Sequence, residues 1–457
     1  MSAESSWDHV VVGAGSAGCV VAARLTEDPD CRVLLIEGGG SDRSDLCRVP
    51  GMVSIIHTVP QVKKKYDWGY KTAPRTETLD RRIPYLRGKV LGGSSAINGM
   101  VFVRGNRLDY DGWAQDGCPG WSHEQVLPYF RKLEDFELGE SEYRGAGGPI
   151  KVSLPTDISP VSEAFLQACS STCGIDIIED YNGASQEGAA LWQLSSRDGI
   201  RYSSSEGYLH PNLDRPNLEV RTGALVHRVR IEGGRATGVE FSIDGQVQIA
   251  RAEREVVLCA GAVGTPAILM RSGVGPAEHL KELDIPVLAD LPVGRNLHDH
   301  LFFPLTFLAP RGGHRGTAWH FFGGMIREKM TGGTWFGRSV FESVAFMKLD
   351  PASPSPDFQL HTLPWAYPSP NQDNSEERPS VDMRPAFTIL PTLIAPESRG
   401  ELRLLSADPD AAPHIDPHFL EAPRDSQVLL QGIELTRRIM AHGGIAEEIT
   451  AELHPGL

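Results

Sequence analysis

The segment 10–37 limits what this chain can fold into more than any other part of it. Val10-Val11-Val12 is an apolar strand, and Gly13-Ala14-Gly15-Ser16-Ala17-Gly18 is a G-x-G-x-x-G turn. Residues 19–25 open a helix of small residues, 32–36 form a second strand, and Glu37 closes it with an acid. The glycines have separate tasks. Gly13 permits the tight turn, Gly15 lets backbone approach a pyrophosphate, and Gly18 lets helix and strand pack closely. The helix N-terminus beyond Ser16 offers unpaired N–H groups and the positive end of a dipole to phosphates. Glu37 stands where a carboxylate accepts hydrogen bonds from ribose hydroxyls. A glycine motif alone is weak evidence. The strand before it, the helix after it and the acid downstream supply the context a dinucleotide site requires.

A chain of 457 residues can bury two hydrophobic cores, which predicts two domains. Its 40% hydrophobic and 23% charged residues read as globular. The net charge of −15 argues against nucleic acid or an anionic membrane surface as partner. Seven cysteines (Cys19, Cys31, Cys47, Cys118, Cys169, Cys173 and Cys259) form no C-x-x-C pair and no metal set. They read as reduced thiols in a reducing compartment, so a cytoplasmic location is expected. The N-terminus has neither the basic nor the apolar region of a signal peptide, and no apolar run is long enough for a transmembrane helix.

Along the chain, residues 40–86 read as irregular, with an aromatic knot at 66–70 whose simplest reading is loop-anchoring packing. Helices are expected at 122–134, 161–173, 265–272 and 425–441, the last stopped by Gly443-Gly444. Residues 218–220, 226–231, 236–243 and 247–250 look like a small antiparallel sheet with hairpin turns at Gly233-Gly234 and Asp244-Gly245. Residues 255–259 form a buried strand followed by a second glycine turn and a helix, so the nucleotide domain is expected to be discontinuous. Short strands at 358–363, 386–393 and 400–405 follow, and 366–379 is a lid candidate.

A second signature runs Arg87-Gly88-Lys89-Val90-Leu91-Gly92-Gly93-Ser94-Ser95-Ala96-Ile97-Asn98-Gly99-Met100-Val101. Glycines and serines pack backbone N–H groups densely, as an anion-facing turn needs. Asn98-Gly99 lets backbone come close to a flat ring. At this point the chain resembles the glucose-methanol-choline (GMC) family of FAD-dependent oxidoreductases, and within it the choline dehydrogenase-like branch. The resemblance rests on five stretches spread over nearly the entire chain. They are 13–18 with Glu37, 87–104, 260–276, Asn296-Leu297-His298-Asp299-His300, and Pro396-Glu397-Ser398-Arg399-Gly400.

The resemblance implies an α/β fold, α+β overall: a Rossmann-like FAD-binding domain (5–155 and 200–300) and a discontinuous antiparallel-sheet substrate domain (156–199 and 301–420). Residues 421–457 would form a C-terminal helix and a truncated return to the FAD domain. Gly13, Gly15, Ser16 and Gly18 would hold the FAD pyrophosphate, and Glu37 the adenosine ribose. Val90, Gly93, Asn98, Gly99, Met100 and Val101 would line the pyrophosphate and isoalloxazine. Val226 would meet the adenine through its backbone, and Ala260 would flank the adenosine. Ile97 stands where relatives with covalent flavin carry a His, so non-covalent FAD is expected.

The implied chemistry is oxidation of a small-molecule alcohol by hydride transfer to flavin N5 while a histidine takes the hydroxyl proton. The electron acceptor is oxygen or a quinone-like carrier. The family's His-Pro-x-Gly-Thr segment, with its catalytic His/Asn pair, is expected beyond Leu457. His454, in His454-Pro455-Gly456, shares only the look of that motif. His298 and His300 read as part of a structural turn rather than a metal pair, and no metal is expected. His361 could face the flavin from its sheet, although a packed or surface histidine is the simpler reading. Two other readings keep the fold: a catalytically impaired flavin-binding remnant, and a non-oxidase member such as a hydroxynitrile lyase or fatty acid photodecarboxylase. A homodimer is carried as an option.

Overall fold

Val10–Val12 and Val33–Ile36 are unbroken apolar runs because both faces of their sheet are covered. The computed structural model describes residues 6–338, 340–367 and 383–456. In it, six strands lie in the order Leu218–Arg221, Val33–Ile36, Ser6–Val12, Gln246–Leu258, Arg235–Ile243, Ala224–Glu232. Neighbours among the first four pair in parallel, and the last three form an antiparallel meander. Alternation along the strands divides the core. Val11, Val33 and Leu35 pack with Cys19 and Ala22 of the helix Gly18–Leu25. Val10, Val12, Leu34 and Ile36 pack on the other face with Val226, Phe241 and Ile268, the last from the helix Gly261–Arg271.

Two sequence expectations change here. Residues 218–220 do not join the antiparallel set but pair in parallel with Val33–Ile36. Residues 247–250 and 255–259 are not separate strands. They belong to the single strand Gln246–Leu258, antiparallel to its hairpin partner at one end and parallel to Ser6–Val12 at the other. Hairpin turns announce local pairing but carry no information about which distant edge a strand then joins.

The second sheet is antiparallel, in the order Ala451–His454, Leu305–Leu308, Ala386–Leu393, Phe358–Leu363, Ser343–Met347, Gly188–Leu191, with Leu301–Phe302 also paired to Ala386–Leu393. Helices Pro160–Cys173 and Pro423–Met440 cover one face, where Phe165 and Leu435 meet Ala345, Phe358, Leu360 and Phe387. On the other face Val344 and Phe346 pack with Trp192 and with Met100 of the second glycine signature. That contact brings the signature loop against the second sheet. The chain after Pro423 stays with this sheet: Arg437 on the helix pairs with Glu452 on the edge strand at 2.8 Å.

Residues 40–86, read as irregular, hold short helices at Asp45–Arg48, Val53–Thr58 and Pro60–Tyr66. Each is about two turns or less, too short to show a 3.6-residue period. The helix Ala318–Thr331 was also hidden, because apolar residues lie on both its inner and outer faces. Most of the lid candidate, from residue 368 on, lies outside the described residues.

Candidate active site

The two glycine signatures interlock. Gly13 has φ +93°, and a Cβ there would lie 2.6 Å from the Cys259 carbonyl oxygen and 2.9 Å from Ala260 Cα. A Cβ on Gly18 would lie only 1.8 Å from the Gly13 carbonyl oxygen, so the helix can start where it does only with glycine. Gly92 donates its N–H to Ala14 O at 2.8 Å, and Leu91 donates to Gly40 O at 2.9 Å. Gly93 comes so near Gly15 that a Cβ on it would be 2.7 Å from Gly15 Cα. Gly15 itself is different: a Cβ there would meet protein only at 3.9 Å. Protein packing therefore does not demand glycine at 15, and the open side is a cradle edge that a ligand can approach.

Glu37 is buried, at 6% exposure. Its carboxylate accepts hydrogen bonds from Ala14 N at 2.9 Å and Gly39 N at 2.7 Å, tying the first turn to the end of the second strand. Burial pushes its pKa up to about 7. A carboxylate has about four lone-pair sites, so two backbone donors leave acceptor capacity that a ribose diol suits. Ala224 N donates to Glu37 O at 2.9 Å, which sets Val226 two residues along the strand from the same corner. Val90 is fully buried beside Gly40, and Ala260 caps the helix whose start walls Gly13. Ser16 is exposed at the turn, and among the described residues its side chain has no hydrogen-bond partner.

Further along, residues 98–101 leave the short 3-10 helix Gly93–Ala96 and reach the second sheet. Asn98 Oδ1 accepts from Met100 N at 3.0 Å and from Arg201 Nη1 at 2.7 Å. Arg201 is buried, and it also donates to the carbonyls of Cys47 and Asn98. Its guanidinium thus fastens the loop from beneath. The Phe341 ring covers Gly99 so closely that a Cβ on Gly99 would lie 2.5 Å from it. Met100 adopts φ +63°, and Val101 bridges to Leu194. Ile97, at the place of the covalent His, is buried, and its carbonyl accepts a hydrogen bond from His57 Nε2 at 2.9 Å.

The arrangement presents a backbone cradle with helix N-termini at one end and, at the other, the loop 98–101 with Phe341 packed on Gly99. Family models described as GMC oxidoreductase match residues 7–302 and 396–457. The chain belongs to the GMC oxidoreductase family. It is 38% identical to oxygen-dependent choline dehydrogenase 1 of Chromohalobacter salexigens, over all of this chain and 81% of that one. It is also 38% identical to the mitochondrial choline dehydrogenase of Mus musculus, over 99% and 76% of the two chains. Among solved structures, pyridoxine 4-oxidase from Mesorbium loti matches with TM-score 0.86 and 31% identity, covering 99% of this chain and 84% of that one. Formate oxidase matches with TM-score 0.89 and 26% identity over the same shares. The chain is accordingly an FAD-dependent alcohol oxidoreductase of the choline dehydrogenase-like kind.

The histidines separate by environment. His361 sits on Phe358–Leu363 with its ring edge-on to Trp192 and Phe341, at 5.8 and 5.9 Å between centroids. Phe341 therefore touches both Gly99 and His361. Gln359 Nε2 lies 3.1 Å from His361 Nδ1; an amide N–H can only donate, so Nδ1 accepts and Nε2 carries the proton. That Nε2 is buried with no partner. Burial pushes the pKa of His361 down to about 3, so the ring is neutral. His454 ends the edge strand opposite Thr306. His300 bonds Asp299, which pairs with Arg87. Among the described residues no group of three or more His, Cys, Asp or Glu could hold a metal ion. Arg201 and Phe341 escaped sequence reading, since each is remote in sequence from the loop it supports.

Proposed function

We propose that the chain oxidises a small primary alcohol with FAD held non-covalently. In this reading Gly13, Gly15, Ser16, Gly18 and Gly93 receive the pyrophosphate, and Glu37 accepts from the adenosine ribose. Val226 and Ala260 flank the adenosine, while Val90, Asn98, Gly99, Met100 and Val101 bed the flavin ring. Bound FAD supplies a hydride acceptor at flavin N5. The observation that carries the reading is the interlock of the two glycine loops with Gly15 left open toward a ligand and Glu37 left with acceptor capacity.

His361 is the side chain we assign to the substrate oxygen. A neutral imidazole with a buried, unpaired Nε2–H donates a hydrogen bond to the hydroxyl oxygen and orients it; with Nδ1 taken by Gln359 it accepts no proton, so the hydroxyl proton passes to a base other than His361 as the hydride leaves the carbon. The rings of Phe341 and Trp192 beside it, with Trp365 against Phe341, favour an alcohol with a cationic head, because aromatic faces attract quaternary ammonium groups. Choline is therefore the first substrate to test, in keeping with the names of the relatives. The seven free thiols support a reducing, cytoplasmic setting.

The experiment is an absorbance scan of the purified protein followed by anaerobic addition of choline and a panel of primary alcohols. Flavin bands that bleach with one of them are the expected result. A protein that carries no flavin, or a flavin that no alcohol bleaches, overturns the proposal. Reoxidation by air against reoxidation by a soluble quinone then distinguishes the two acceptors.

A further inference from the structure

Arg201 is a buried cation to which the fold offers no counter-charge. It is 1% exposed. Its Nε donates to the Cys47 carbonyl at 2.9 Å. Its Nη1 donates to Asn98 O and Asn98 Oδ1, each at 2.7 Å, and to Ser95 O at 3.3 Å. Its Nη2 is buried with no hydrogen-bond partner. Among the described residues no carboxylate pairs with it, and the ionisable neighbour that acts on it is the Cys47 thiol. Burial pushes its pKa down to about 10, so the guanidinium still carries its charge at neutral pH. The other buried arginines are built differently. Arg104 and Arg144 share Glu134, each at 2.9 Å, and Arg315 pairs with Glu342. Asp42 and Glu206, from the segments adjoining Cys47 and Arg201, are already matched to His210, at 2.9 and 3.2 Å. A brace that only had to bind carbonyls could be neutral. A desolvated charge with oxygen dipoles as its only partners costs stability, which points to a use for the charge itself.

The charge reaches the site through Asn98. Asn98 Oδ1 accepts from Arg201 Nη1 and from Met100 N at 3.0 Å. A flipped amide would set its NH2 against these two donors, so Oδ1 faces the guanidinium and Nδ2 is turned the other way. Asn98 itself is exposed. The Asn98 carbonyl also accepts from Nη1. That bond polarises the peptide whose other end is the Gly99 N–H.

We propose that Arg201 is a positioning residue for the reduced cofactor: it fixes Asn98 with its amide N–H groups toward the flavin ring and lends that side of the ring a positive potential, so the site holds the reduced ring more tightly than the oxidised one. This inference rests on the FAD reading above. A hydride brings two electrons and one proton to flavin N5, so a neutral oxidised ring gains one negative charge. Polarised N–H donors and a buried cation favour that charge in a setting of low dielectric. Salt screens a buried charge much less than an exposed one.

The test is the midpoint potential of the flavin in the FAD-loaded protein, measured by equilibration with a reference dye and without any alcohol. The potential reads the ratio of the affinities for reduced and oxidised flavin. A loop that merely loosens weakens both alike and leaves it unmoved. Arg201→Met should lower the equilibrium constant for reduction about tenfold or more, which is about 30 mV for a two-electron couple. Arg201→Lys keeps the charge and should recover most of that shift. Cys47→Asp leaves the bonds from Arg201 to the loop in place and sets a carboxylate beside the guanidinium. It should lower the potential as Arg201→Met does, and Cys47→Asn should not. A potential indifferent to all four variants overturns the proposal. So does an equal fall in Arg201→Met and Arg201→Lys with none in Cys47→Asp, which would leave Arg201 a brace. If Arg201→Met alone holds no flavin, the Cys47 pair decides. Loss of flavin from both Arg201→Met and Cys47→Asp would mean that the charge serves the oxidised ring or the fold as much as the reduced ring, and equally overturns it. An unaltered protein without flavin fails the FAD reading first and takes this inference with it; a bound flavin whose potential ignores the charge fails this inference alone.

Discussion

The two sides of the candidate site are built by different means. The cradle side, around Gly13, Gly15, Gly18 and Gly93, is backbone against backbone. Its shape follows from where side chains are missing, and its parts lie within three short stretches of chain, around 13–18, 92–93 and 259–260. The far side, where residues 98–101 meet Arg201 and Phe341 and Phe341 meets His361, is side chain against loop. Its parts arrive from four separate segments and two sheets. The first kind of wall tolerates almost no added atom but little depends on side-chain chemistry. The second kind depends on the chemistry of single groups.

The largest expected effect breaks the cradle. Gly18→Ala puts a Cβ 1.8 Å from the Gly13 carbonyl oxygen, which backbone cannot yield to. We expect a loss of about 3 kcal/mol or more in unfolding free energy and no retained flavin, read by thermal melt and by the flavin-to-protein absorbance ratio. On the far side, His361→Ala should keep flavin and fold but lower kcat by about 100-fold or more, the cost of removing one donor from a developing oxyanion. Retention of activity in that variant would remove His361 from the site.

Glu37 joins the two descriptions, since it is one side chain serving a backbone cradle. Its pKa of about 7 lies above its ordinary value of 4.5 because burial disfavours the charge. Between these values the folded protein binds more protons than the unfolded one, so stability falls as pH rises from 4.5 through 7 and levels off above. The group's share of that fall is about 3 kcal/mol in flavin-free protein. Urea unfolding across this range should show the slope in the native sequence and lose it in Glu37→Gln. Ribose hydroxyls donating to the carboxylate favour its charged form, so bound FAD should flatten the slope as well.

The smallest effect on the fold is the sharpest test of the comparison. In Gly15→Ala the new methyl meets protein only at 3.9 Å. Flavin-free stability should change by no more than about 0.5 kcal/mol, while the dissociation constant for FAD, from equilibrium dialysis or fluorescence quenching, should rise about tenfold or more. Equal loss of stability and of FAD affinity would mean that Gly15, like Gly18, serves protein packing alone.

Legibility followed the same division. The strand–turn–helix–strand of the first 37 residues is local, so glycine spacing and the placement of Glu37 announce both the fold and the cradle. The helices at 160–173 and 423–440 were readable because one face of each packs on a sheet and the other meets water. The helix Ala318–Thr331 was not, because its outer face breaks that rule, and the short helices of 45–66 have too few turns to display a period. Arg201 shows the limit for sites. A lone arginine in a stretch of serines carries no signal, and it acquires a role only when folding carries it under Asn98 and strips away its water.

By itself, then, the chain's sequence determined the dinucleotide cradle and the family, since both rest on backbone geometry that neighbouring residues dictate. The tertiary structure alone decided that the strand Gln246–Leu258 joins the meander to the parallel strands, that Phe341 covers Gly99, and that His361 is neutral with a free Nε2–H. It also decided that an apolar helix face is left toward solvent. These are long-range outcomes: they depend on which surfaces are buried against which, and burial is a property of the whole packing rather than of any stretch of residues.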